Sequence, residues 1–272
     1  MRARMLTSVF ALALVAAPAA AQSEWLAAEG TSIALEFRHP SFSADEINDE
    51  LGVLDGAWFL SGRVGVPLMG AAAVAELPFA NSSVGDGDNS IGNVYLGVEL
   101  PVMLGAATIE AGARLPTASS GDLEDVSPFL GFIASMTDRY DAFVEDAFVP
   151  RIGVKGGISA TPIISIEGNL AGAYMIYTGE GDTDNDFVLD YGVRGFAGLA
   201  STRIGLGIEG FNVLTADDAD ADDSSINQLG LWLDHEFGMF RPGISLFLPV
   251  DEDFGDIVDY TLGVSLEVDL PL

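Results

Sequence analysis

The chain has 272 residues and a formal net charge of −30, from 41 Asp plus Glu against 11 Lys plus Arg, yet it is 49% hydrophobic with a positive mean hydropathy. So much apolar residue excludes a charge-swollen disordered chain, and so much acid excludes nucleic acid as a partner, because phosphates would be repelled. With no cysteine, disulfides, thiolate metal sites and a cysteine nucleophile are excluded as well.

In chain order, Arg2 and Arg4 precede an apolar stretch over residues 6–17 and a small-residue end, Pro18, Ala19, Ala20 and Ala21. This has the form of a secretory signal peptide, so residues 1–21 are expected to be removed and residues 22–272 to form one domain. The apolar run falls short of the roughly 20 residues that a spanning helix needs, and no later run approaches that length. Any membrane entry by the mature chain would therefore use strands.

From residue 32 onward the dominant period is two. Ile33, Leu35 and Phe37 alternate with Ser32, Ala34, Glu36 and Arg38, and Trp58, Leu60, Val64 and Val66 with Ser61, Arg63 and Gly65. The alternation recurs at Ala73 to Phe79, Val94 to Leu100, Ile109 to Leu115, Ile152 to Val154, Ile164 to Ile176 and Leu189 to Leu199. It closes with Ile204 to Ile208, Leu229 to Leu233, Ile244 to Leu248 and Leu262 to Val268, giving about twelve strands. The connections alternate long and short: residues 40–57, 80–90, 116–146, 178–186, 215–225 and 250–256 are long, the five between them short. An even number of up-and-down strands with long loops on one side is the pattern of an outer-membrane barrel, in which every backbone group is paired without water.

Charge follows the same phase. Arg38, Arg63, Arg114, Arg151, Lys155, Arg194, Arg203 and Arg241 all fall on the polar phase of a strand, and only Arg139 lies in a loop. An Arg or Lys facing lipid near the midplane would cost roughly 2–4 kcal/mol. A soluble antiparallel sheet shows the same alternation with its apolar face turned inward, so period two does not distinguish inside from outside. The polar phase, however, is rich in Gly, Ala and Ser with isolated charges, which suits a crowded lumen. Aromatic residues also stand toward segment ends on the apolar phase, at Trp58, Phe79, Tyr174, Tyr191 and Phe237, as interfacial girdles would.

Ser90-Ile91-Gly92-Asn93-Val94-Tyr95-Leu96-Gly97-Val98, followed by Ala113-Arg114-Leu115-Pro116-Thr117, resembles the paired strands of Gram-negative outer-membrane porin-like barrels, loosely those grouped as transporters of phenolic or other hydrophobic compounds. The resemblance implies an all-β transmembrane barrel in the outer membrane, with outer-membrane lipid and the assembly machinery as partners. One departure is the end, Val268-Asp269-Leu270-Pro271-Leu272, where such barrels usually finish on an aromatic residue.

The third long loop breaks the strand period. Ser127-Pro128 is a helix-start signal, and Phe129, Phe132, Ile133, Met136, Tyr140, Phe143 and Val144 follow helical spacing. A helix of this kind needs an apolar surface to cover, either across the outer mouth, where Phe129, Phe132, Ile133, Met136 and Tyr140 would constrict the pore, or on the rim.

Catalytic chemistry is thin. His39 and His235 stand near strand ends, outside any Ser-His-acid or metal-ligand spacing, so no catalytic residue, metal or cofactor is assigned and no enzyme is expected. Asp182 to Asp186 begins like a calcium loop, but Phe187 replaces the expected glycine and Val193 the bidentate Glu. Asp86-Gly87-Asp88 and Asp217 to Asp223 are equally acidic, so weak divalent-cation binding at these loops is a side expectation. The expected function is passive passage of a small, unnamed solute through a charged, narrow lumen lined by Glu36, Arg38, Arg63, Glu99, Glu110, Arg114, Arg151, Lys155, Glu167, Asp190, Arg194, Arg203, Glu209, Asp234, Glu236 and Arg241. With some eight cations against about 12 acids facing inward, that lumen would favour cations. The alternatives are a structural or adhesive barrel working through its acidic outer loops, and a lipid-modifying barrel enzyme.

Overall fold

The computed structural model describes residues 30–66, 70–102, 106–118, 126–136, 138–179, 185–215 and 225–270. The expected signal segment, Asp182 to Asp184, Asp217 to Asp223 and Leu272 lie outside the described residues.

Antiparallel strands dominate. They are β1 (Thr31–Phe42), β2 (Gly56–Val66), β3 (Ala71–Ser82), the short β4 (Asp88–Ile91), β5 (Tyr95–Val102), β6 (Ala107–Arg114), β7 (Ala147–Thr161), β8 (Ile164–Tyr177), β9 (Asp186–Leu199), β10 (Thr202–Val213), β11 (Ser225–His235), β12 (Phe240–Pro249) and β13 (Val258–Leu270). Helices α1 (Asp45–Glu50), α2 (Ser127–Ser135) and α3 (Glu252–Ile257), with a 3₁₀ turn at Tyr140–Ala142, all belong to long loops. Each long strand pairs with its sequence neighbours and β1 pairs with β13, so twelve strands close into an up-and-down barrel. β4 adds only to the outer end of β3. Closure leaves no open edge among the twelve long strands.

The phase of the alternation is now fixed. Large apolar residues of one phase point outward and are exposed, Ile152 by 62% and Ile204 by 58%, whereas the opposite phase buries Arg38, Arg114, Glu167, Asp190, Arg194 and Glu209 to 4% or less. This is the inverse of a soluble barrel, and the apolar exterior needs a nonaqueous surround. Trp58 stacks on Phe79 at 5.9 Å and meets Phe37 in a tilted contact at 4.5 Å on the outer surface near the long-loop end. The tight turn between β11 and β12 uses Gly238 at φ +65°, a conformation costly to residues with a Cβ.

Buried apolar clusters lie inside the barrel, at its long-loop end, and each contains residues of the third long loop. Leu130 and Ile133 pack with Phe42, Phe254 and Val258. Ala134, Ala142 and Phe143 pack with Ala57, Phe59 and Ala80, and Tyr140 with Ala147, Val149, Ala173, Met175, Val188 and Phe211. Burying a large apolar side chain contributes roughly 1.5–3 kcal/mol, so the loop and inner wall hold each other. The helix is shorter than its apolar spacing predicts, ending at Ser135 before the separate turn at Tyr140. Helices α1 and α3 and strand β4 were not expected from the sequence.

Candidate functional site

The barrel interior holds a cavity of about 350 Å³ beneath the third long loop. It is lined by all nine Lys and Arg residues found after residue 4: Arg38, Arg63, Arg114, Arg139, Arg151, Lys155, Arg194, Arg203 and Arg241. Ten carboxylates share this lining among the described residues: Glu36, Glu76, Glu99, Glu110, Asp138, Asp141, Asp190, Glu209, Asp234 and Glu267. The lumen is therefore close to neutral. The expected excess of about four acids shrinks to one in this lining, since eight strand cations face eight strand acids and the loop adds Asp138 and Asp141 with Arg139.

Period two aims these side chains inward, and antiparallel register puts opposite charges side by side. On the lower wall, Arg63 donates to Glu99 at 2.7 Å, and Lys155 donates to Glu99 and, at 2.9 Å, to Glu110. Tyr95 gives its hydroxyl proton to Glu110 at 2.5 Å. Farther round, Arg151 donates to Asp190 at 2.9 Å, Arg194 to Glu209 at 2.7 Å, Arg203 to Asp234 at 2.9 Å and Arg241 to Glu267 at 2.9 Å. Glu167 is buried on the same face, opposite Arg194 in register.

The third long loop is fastened by the densest part of the network. Arg38 donates to both carboxylate oxygens of Asp138, 2.7 Å each, and to Glu36 at 2.7 Å. Arg139 spans Glu36 and Glu76 at 2.9 Å each, and Arg114 bridges Glu76 and Asp141 at 2.7 Å each. Burial alone would push the Asp138 carboxyl up, but the Arg38 and Arg139 guanidiniums outweigh it and hold its pKa well below the ordinary aspartate value. The fully buried Asn93 donates to the backbone oxygens of Asp141 and Val144 at 3.1 and 2.6 Å. Asp88 of β4 accepts from Ser127 N and Oγ at 3.0 and 2.6 Å, capping α2 from outside the helix.

Aromatic rings lie along the inner wall under the guanidiniums: Arg194 stands 4.3 Å over Trp232, Arg139 4.5 Å over Phe59, Arg38 4.7 Å over Phe247 and Arg203 5.1 Å over Phe196. Wall glycines make room for them. A Cβ at Gly230 would come within 2.0 Å of the Trp232 ring, and one at Gly205 within 2.4 Å of Phe196.

The predicted lumen residues thus stand together on one inner surface, apart from Glu236. That residue follows the end of β11 and is exposed in the turn to β12, because the strand stops at His235. Phe237, expected in a girdle, lies in the same turn, 72% exposed. Of the predicted constriction residues, Ile133 and Tyr140 are buried between loop and wall, Phe132 and Met136 pack beside them, and Phe129 turns away, 48% exposed and stacked on Phe42 at 6.0 Å. Sequence reasoning did not single out Glu76, Asn93, Asp138, Arg139 or Asp141, nor the inward rings. Glu76, Tyr95, Phe196 and Trp232 share the polar phase with the charges, which was the available signal. The loop residues had none, since their partners are 27 to 100 positions away.

The two histidines are far from a joint site: His39 Nδ1 lies 2.7 Å from the Asp55 backbone oxygen at the long-loop end, His235 Nδ1 2.8 Å from Thr202 Oγ1 at the short-turn end. Among the described residues no three His, Cys, Asp or Glu side chains are grouped to hold a metal.

Fold and interior together define the class: an outer-membrane-type β-barrel of twelve strands, with a polar interior and an inserted loop. A crystal structure of an outer membrane channel from Pseudomonas putida F1 superposes with a TM-score of 0.61 at 11% identity, covering 93% of this chain and 100% of that one. The KdgM porin gives a TM-score of 0.49 at 10% identity (88% and 99% covered), and LpxR from Salmonella typhimurium 0.45 at 9% (88% and 100%). No protein-family model matches the sequence, and no curated protein matches it. At 11% identity the likeness to the Pseudomonas putida channel is one of fold.

Proposed function

We propose that the chain, exported by way of residues 1–21, sits in the outer membrane as a passive channel for small solutes, restricted by its third long loop. The observation that carries this reading is the inversion of the barrel: an exterior of exposed Leu, Ile and Val around an interior holding every Lys and Arg after residue 4. A barrel that only anchored its loops could fill its interior with side chains and leave no cavity, as eight-stranded barrels do. Here, a continuous lining of charges surrounds a cavity. The Pseudomonas putida channel, on which 93% of this chain superposes, supports the reading at the level of fold.

Within this proposal the inner-face charges named from the sequence are the lining, and Phe132, Ile133, Met136 and Tyr140 belong to the constriction. A grouping with transporters of phenolic or other hydrophobic compounds is the finer part of the proposal. Its support is the set of rings at Phe59, Tyr95, Phe196, Trp232 and Phe247 on the inner wall. Reconstitution of the refolded protein in planar bilayers tests the channel reading, with discrete conductance steps expected. A barrel that inserts and stays silent, and whose liposomes do not swell in small sugars, would favour the structural alternative.

A further inference from the structure

The third long loop is held very differently on its two sides. Toward β1, β3 and β6 it is latched by ion pairs through Asp138, Arg139 and Asp141, in addition to the packing of Ala134, Ala142 and Phe143 on Ala57, Phe59 and Ala80 of β2 and β3. Toward β7, β8, β9 and β10 the contact is the apolar packing of Tyr140 against Val149, Ala173, Val188 and Phe211. Ion pairs must be broken before the first side parts, and a buried charge left alone is strongly unfavourable. Apolar contacts are non-directional, and side chains can slide along them without stranding a charge.

At the lower edge of the apolar seam, four oxygens of buried or half-buried side chains make no hydrogen bond among the described residues: Tyr140 Oη, Asp141 Oδ2, Asp190 Oδ2 and Asn169 Oδ1. Tyr140, Asp141 and Asp190 are 3%, 1% and 2% exposed. Asp141, Asp190 and Asn169 line the cavity, and Arg151, bonded to Asp190 through the other carboxylate oxygen, is the cation beside them. Three of the four oxygens can only accept while the carboxylates are ionised. Buried acceptors without donors are costly, and a passing group that supplies donors relieves that cost.

We propose that solutes pass the loop along the seam between Tyr140 and the β7–β10 wall, and that Asp190, with Asn169 and Asp141, is a selectivity site there for cations and hydrogen-bond-donating groups. This rests on the channel reading above. One further observation fits it: Asp141, next to Tyr140 in the chain, and Asp190, on the same face of β9 as Val188, both line the cavity.

The absence of cysteine gives a clean background for the test. Ala173→Cys places a thiol in the seam and Ala57→Cys one on the latched side, both at small buried positions. In planar bilayers, a small charged methanethiosulfonate reagent is expected to reduce the current through Ala173→Cys by more than half and to leave Ala57→Cys unchanged. In 1 M KCl, Asp190→Asn is expected to lower the K⁺ to Cl⁻ permeability ratio about twofold or more, with Asp253→Asn, at an exposed position of α3 outside the cavity lining, as the paired control. Block of Ala57→Cys as fast as of Ala173→Cys, or an unchanged ratio in a conducting Asp190→Asn, overturns the route while leaving the channel reading standing. A wild type that conducts nothing overturns both.

Discussion

Asp138 is the residue on which the docking of the third loop most depends. It receives two hydrogen bonds from a guanidinium that is only 3% exposed, and Asp138→Ala would leave Arg38 with Glu36 and the more distant Ala134 carbonyl. Removing one partner of a buried pair costs about 3–5 kcal/mol, and the expected result is a longer open time in single-channel records. The pH dependence has a definite sign. A carboxyl whose pKa is depressed on folding contributes stability above its unfolded value, about 3.9, and loses it as pH falls through the folded one. Conductance is therefore expected to be flat from pH 8 to pH 5 and to rise only on strong acidification; a rise centred near pH 6 would point to another group. The aromatic lining gives a second residue-level expectation. Gly230→Ala would drive the Trp232 ring off the wall into the lumen and reduce conductance, and wild-type conductance in that variant would show that the ring borders no passage.

At the scale of elements, the strands were legible and the inserted loop only in part. A period of two is imposed by each strand's own backbone, so Ile204, Leu206 and Ile208 announce β10 without reference to anything distant. The helix start at Ser127-Pro128 was equally local. Its end was not, because α2 stops where Asp138 and Arg139 turn to meet Arg38, Glu36 and Glu76, and no local pattern encodes partners on β1 and β3. Nor could spacing assign Asp88 to the N-terminus of α2, 39 residues away. That cap gives an expectation for the element: Asp88→Ala should weaken the docked helix by about 1 kcal/mol, read as faster hydrogen exchange in residues 127–135 with the barrel strands unchanged. Uniform loss of protection across the barrel would contradict it.

For the whole molecule, the pairing of high apolar content with a large negative charge is resolved by position. The exterior band is apolar, the lumen is balanced with all nine cations after residue 4 along its lining, and the described acids outside that lining stand mostly in the long loops. Selectivity arising from the outer charge acts through solution and is screened over about 10 Å at 0.1 M salt and about 3 Å at 1 M. The K⁺ to Cl⁻ permeability ratio should therefore exceed one in dilute salt and fall toward the value set by the lumen alone in 1 M KCl; a ratio independent of salt would place all of the selectivity inside the barrel.

The central claim is that the third long loop, folded into a closed barrel and latched to its inner wall, limits passage through it. Single-channel conductance of the wild type beside a variant lacking residues 128–146 tests this most directly. A several-fold larger conductance in the deletion, from barrels with the same heat-modifiable mobility on gels, is the result expected. Equal conductance in the two would contradict the claim.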